Sequence, residues 1–136
     1  MAPEPSLFFQ MKRGEHLERA TRDLEALSRR FPDTYAAAYA DLALGISQSQ
    51  SAFDPQTKSF REPDCQAAAS RLARALPSIA DPLTAARGTG VLVECLTRLG
   101  RGDEARAAAR GFYDAHPEAR TLPGISATVD RAPGQK

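Results

Sequence analysis

Three segments of the chain end on the same signature. Ala20, Leu24, Leu27 and Pro32 in the first are matched step for step by Cys65, Ala69, Leu72 and Pro77, and again by Ala105, Ala109, Phe112 and Pro117. Steps of three and four residues put the first three members on one face of a helix. Proline lacks an N–H and clashes with the preceding turn, so it forces the chain out of the helix. The small residue at the head of each signature lets a second helix come close, and the residues that follow fill the gap and close the core. Such internal repetition marks one helical unit used several times over.

Each signature helix has a companion before it. Between Gly14 and Pro32, Leu17, Ala20, Leu24, Leu27 and Phe31 form an apolar stripe, with arginines gathered late as the helix dipole favours. Upstream, Ser6 can cap a short helix holding Leu7, Phe8 and Met11, with Gly14 making the bend. A second helix starts at Thr34 and runs through Tyr35, Ala38, Tyr39, Leu42 and Ile46. Residues 47–64 lack periodicity and carry Pro55 and Pro63, which predicts a long loop. Asp64 can cap the alanine-rich helix Cys65 to Leu76. Asp81-Pro82 opens Leu83 to Leu99, weakened in its first half by Gly88 and Gly90, and Asp103 is the expected cap of Glu104 to Ala115. The fold class expected is all-α: one domain over 1–136 with antiparallel hairpins at about 5–32, 33–77 and 82–117. A short C-terminal capping segment with Leu122, Ile125 and Val129 and a frayed tail at about 131–136 complete it.

Residues 83–117 carry the fullest pattern: Leu92, Leu96, Leu99-Gly100-Arg101-Gly102-Asp103-Glu104-Ala105, Ala109, Phe112 and Pro117. This stretch resembles a tetratricopeptide repeat. The first hairpin departs from that pattern in the position of Gly14. The middle one departs in its interruption from Ser47 to Pro63 and in Asp41, where an apolar residue is expected. The resemblance implies a stack of hairpins whose leading helices line a concave groove for a partner's peptide or helix. Carried onto the third unit, the groove positions are Arg87, Gly90, Glu94, Thr97 and Arg98. The basic-and-amide pattern of family members that clamp a C-terminal carboxylate is absent, with Gly90, Val91 and Glu94 in its place. The alternative for Arg87, Glu94 and Arg98 is a solvated helix face.

Charge and composition narrow the partners. Eighteen basic against seventeen acidic residues leave a net charge of +1, which provides no field for a nucleic-acid backbone or an anionic membrane. No apolar run reaches the roughly 20 residues that span a bilayer, and no export signal is evident. The expected location is cytoplasmic, or periplasmic or exported if a leader has been removed. Fifteen arginines to three lysines fit the wording of GC-rich bacterial genomes.

Chemistry-bearing residues are sparse. His16 and His116 fall at a helix start and a helix end, with no nucleophile or second ligand nearby in sequence. Neither catalysis, a metal nor a cofactor is expected. Cys65 and Cys95 are placed symmetrically about residue 80, in the turn between two helices, so they can face each other. They are read as buried small residues, or as a disulfide in an oxidising compartment. Phe53 and Phe60 in the 47–64 loop are either exposed anchors for a partner or, the favoured reading, rings folded back onto a core. Tyr35 and Tyr39 are expected to pack in the core with wet hydroxyls. The function expected is a non-catalytic adaptor or scaffold that binds a protein partner. A structural subunit or secretion-type chaperone in a homo-oligomer or larger assembly is the alternative, with a small helical enzyme behind it.

Overall fold

The computed structural model describes residues 7–54, 57–121 and 129. The described chain is mostly helical, in the order α1 (Leu7–Arg30), α2 (Tyr35–Gln48), β1 (Ala52–Asp54), β2 (Ser59–Arg61), α3 (Cys65–Ala75), α4 (Pro82–Arg98) and α5 (Gly102–Ala115). Single 3-10 turns at Leu76–Ser78 and Pro117–Thr121 follow α3 and α5. No helix among the described residues is long and apolar enough to cross a membrane.

Three helix starts are made by the capping residues the sequence supplies. Thr34 accepts from the Ala37 amide at 3.1 Å, Asp64 from Ala67 at 3.0 Å and Asp81 from Thr84 at 2.9 Å, each satisfying an amide that has no partner inside its helix. Pro82 then occupies the first turn of α4, where no amide is needed. The start of α5 differs from expectation. Gly100, at φ +76°, takes the left-handed conformation that ends α4, its amide donating to Thr97 and that of Arg101 to Leu96. This tight reversal lets α5 begin at Gly102, with Arg101 at the cap position and Asp103 inside the first turn.

Two more expectations are overturned. Gly14 makes no bend, and α1 runs through it as one helix of 24 residues. A lone glycine costs a helix only about 1 kcal/mol, so the short helix and hairpin expected at 5–32 become a single rod that packs on α2 and passes beside β1. The 47–64 segment is not a structureless loop. Strands β1 and β2 pair antiparallel with Phe53 opposite Phe60, close to Lys58 at φ 55°. The ribbon is tied to the end of α2 by the Arg61 guanidinium on the Ser47 carbonyl, at 3.1 Å, and by the Asp64 amide on Gln48, at 2.7 Å. Strands of three residues are too short to display the alternation by which a strand is read.

The core lies among α2, α3, α4 and α5, around Leu42, Leu72, Val93, Leu96 and Phe112, and Val129 is buried with them. None of the described side chains of α1 is fully buried, and Phe31, expected on its apolar face, is half exposed. Neighbours in sequence are neighbours in space: α2 packs on α1 and α3, and α4 on α3 and α5. From the end of α5 the chain folds back, with the Arg120 guanidinium 4.4 Å from the centre of the Tyr113 ring and Ala119 buried. Leu122, Ile125 and the 131–136 tail lie outside the described residues.

Glycine governs the closest contacts. A Cβ on Gly45 would lie 2.7 Å from Cγ of Leu72, and one on Gly88 2.5 Å from Cδ1 of Leu42. Gly88, which reads from sequence as a weak point of α4, is where α4 meets α2. Asp41 is the other surprise in α2. With a side chain 14% exposed, it accepts from the Ser28 hydroxyl at 3.1 Å and pairs with Arg71 at 3.2 Å, linking α1, α2 and α3. Gly45→Val is expected to lower the free energy of unfolding by about 1–3 kcal/mol through overpacking. Gly111→Ala, whose Cβ meets nothing within 4 Å, should raise it by about 0.5–1 kcal/mol. Urea denaturation of both variants checks the contrast, which disappears if α2 and α3 do not approach this closely.

Candidate functional site

Residues at a spacing of 100° per position sort α4 into two sides. Leu83, Arg87, Glu94 and Arg98 share one, and Ala85, Thr89, Leu92 and Leu96 the other. On the first side, Glu94 and Arg98 bind one another at 2.7 Å across a helical turn. Both are well exposed, so the pair adds little to stability. The Thr97 hydroxyl is used inside its own helix, donating to the Val93 carbonyl at 2.8 Å, and Gly90 is buried. Arg87 is exposed, and it borders a recess.

That recess, about 480 Å³, lies between α2 and α4 and is lined by Tyr39, Leu42, Ala43, Ile46, Leu83 and Arg87. Beside it Tyr35 stacks on Tyr39, with ring centroids 6.0 Å apart and planes at 26°. The two tyrosines are not core residues: Tyr35 is 57% and Tyr39 38% exposed. The physical reason is the position of α2 between two helices. It buries Ala37, Ala40 and Leu44 as well as Ala38 and Leu42, and this rotates its buried arc away from the tyrosine stripe. Leu83, 67% exposed, adds a second apolar group from α4.

The β-ribbon carries its aromatic ring outward. Phe60 is 62% exposed, which overturns the expectation that it plugs a core. Phe53 is its register partner across the ribbon, but its side chain lies outside the described residues. Phe60 is not among the residues that line the recess.

The cysteines are free. Cys65 opens α3 half-buried and Cys95 is buried in α4. Burial pushes the Cys95 thiol up to about 12, and a hydrogen bond with the Cys65 side chain adds to the shift, so the two thiols are neighbours. His16 is exposed. His116 sits half-buried against Phe112, with Nδ1 3.7 Å from the Glu118 carboxylate. No group of three or more His, Cys, Asp or Glu suited to a metal occurs among the described residues.

Sequence reasoning missed a second cleft, of about 850 Å³, on the other side of α4 between α3 and α5. Its signal was present as Ala69, Ala73, Ala108 and Gly111, side chains too small to fill the space between two helices. Alanines read equally well as close packing, and only the positions of the helices distinguish contact from gap.

The state of Cys95 is open to test. Its folded thiol holds the proton to higher pH than the ordinary thiol value of 9.0, so its contribution to stability is intact below about pH 9 and is lost as pH climbs toward 12. Cys95→Ala should flatten that alkaline loss in urea denaturation. Iodoacetamide on the native protein at mildly alkaline pH should label Cys65 first and Cys95 more slowly by about tenfold or more; equal rates would contradict the assignment.

Compared with known proteins, no family model matches the chain, and neither any curated protein nor any solved structure does.

Proposed function

We propose that the chain is a non-catalytic protein–protein interaction module, a tetratricopeptide-like adaptor or scaffold that receives a partner segment on the face shared by α2 and α4. The observation that carries this is the exposed Tyr35–Tyr39 stack beside Leu83 and the α2–α4 recess. Tyrosines offer large contact area at small entropic cost and recur as the anchors of interfaces. Arg87 borders the same recess and forms no ion pair with a described residue, so a segment pairing an apolar anchor with an acidic group is the best match. In the solenoid implied by the family resemblance, α2 and α4 are the leading helices of successive units, which is the side a partner would occupy. The location that goes with this role is cytoplasmic; a periplasmic or exported protein is the alternative, and oxidation of Cys65 and Cys95 would mark it.

Self-association in a structural subunit or chaperone is a second reading, favoured by the half or greater exposure of Phe31, Tyr35 and Phe60 in one small chain. Light scattering coupled to size-exclusion chromatography separates the two. A mass of one chain that does not change with concentration supports the adaptor, and a stable dimer or larger species supports self-association.

The groove itself is tested with peptides selected from a random library on the immobilised chain. Tyr39→Ser and Arg87→Glu should each weaken the selected peptides by about tenfold or more, while Arg61→Glu, on the ribbon, should leave them unchanged. Peptides that bind all variants equally would remove the α2–α4 face from the proposal.

A further inference from the structure

The cleft beyond α4 has the character of a ligand site. Helices α3 and α5 both pack on α4, and the walls they turn toward each other end in methyl groups or hydrogen at Ala69, Ala73, Ala108 and Gly111. The space left is about 850 Å³, within the range of small-molecule pockets, and its lining is mainly apolar.

Thr89, in the lining of the cleft, is the observation that points to an occupant. It is the one buried polar residue among the described residues, 3% exposed, and its hydroxyl makes no hydrogen bond with any of them. Thr97, two turns on, shows the usual solution for a helical threonine, donating to the carbonyl four residues back. Thr89 does not take it. Valine has the same shape, and the hydroxyl is not sealed off: Gln48 Oε1 is the one fully buried side-chain oxygen or nitrogen without a partner among the described residues, so the Thr89 hydroxyl still reaches the space the cleft leaves. A hydroxyl in the lining of a mainly apolar cleft, with no described residue to bond, is suited to bonding something that enters it.

The mouth restricts what that is. The Arg101 guanidinium is bound by both carboxylate oxygens of Glu104, at 2.5 and 2.7 Å, a contact that also holds the Glu104 carboxyl below its ordinary value. Arg101 is therefore already neutralised, and His116, the other basic residue in the lining, has Nδ1 3.7 Å from the Glu118 carboxylate, so neither waits for an acid. We infer that the α3–α4–α5 cleft binds a small neutral amphiphile, an apolar body carrying one hydroxyl, phenol or amide that bonds the Thr89 hydroxyl. This site is on the opposite side of α4 from the α2–α4 face and does not depend on the adaptor role.

The test uses the full chain with two probes, 2-naphthol and naphthalene, titrated at neutral pH and followed by amide chemical shifts. Wild type should bind both saturably, with perturbed shifts along α3, α4 and α5, and should favour the naphthol by about tenfold for its hydrogen bond. Thr89→Val should bind naphthalene as before and lose the preference. Gly111→Leu should abolish binding of both, and because a Cβ there meets nothing within 4 Å, the variant should keep its helical spectrum and its resistance to urea. The proposal is overturned if neither probe saturates, if Thr89→Val keeps the preference, or if a folded Gly111→Leu binds as wild type does. Binding confined to a helical peptide, or a cleft holding only water, gives the first of these results.

Discussion

Helix α2 lies closer to α3 at Gly45 than a larger side chain would allow without a shift. Leu72 of α3 lies against Gly45, the side-chain ends of Leu42 and Leu76 lie against Gly88 of α4, and the buried apolar layer forms around that junction. Close approach has a cost in helix propensity, since glycine is the weaker helix former, and the packing it permits offsets that cost. The same composition acts differently where two helices do not meet. Between α3 and α5, which both lie on α4, alanine and glycine leave a cleft. Core and cavity are thus two results of one choice of side chains.

Asp41 performs for α1 what the glycines do for α3 and α4. Helix α1 has no fully buried side chain among those described, so its attachment to the rest cannot rest on a deep apolar face. The Asp41 carboxylate, largely withdrawn from water, bonds Ser28 of α1 and Arg71 of α3 at once, and Arg74 stands at 4.0 Å. A buried carboxylate is costly unless it is both paired and hydrogen-bonded, and here it is both. An acid at a position where the repeat pattern expects an apolar residue is therefore a link among three helices. It also helps to keep α2 in the orientation that exposes its tyrosines.

Two of the surfaces on the described chain are built on α4. One side of α2 and α4 presents stacked rings, a leucine and an arginine around a shallow recess, which suits a polypeptide segment with an apolar anchor. The other side of α4 presents a larger, mainly apolar cleft whose lining includes the buried Thr89. Because both are built on α4, whatever fixes that helix fixes the two sites together. Its N-terminus is held by the Asp81 cap, whose carboxyl is lowered by hydrogen bonds from the Thr84 hydroxyl and amide. Its C-terminus is held by the Gly100 reversal.

The sequence by itself determined the helical class, the ends of α2, α3 and α4, and the exits at Pro32, Pro77 and Pro117. These follow from local chemistry: a side-chain oxygen that meets an amide three residues on, a ring that cannot donate, an apolar stripe at helical steps. It also brought Cys65 near Cys95, since two helices joined by a short turn run back along each other. Tertiary structure alone decided the rest. Gly14 gives no sign of lying within a continuous helix, and three-residue strands carry too little pattern to be read. The exposure of Tyr35, Tyr39 and Phe60 depends on which helices flank them, and periodicity names an apolar stripe without naming its neighbours. Alanine looks the same in sequence whether it lines a contact or a gap, and Thr89 becomes notable only once it is seen in the lining of a cleft with no described residue bonding its hydroxyl.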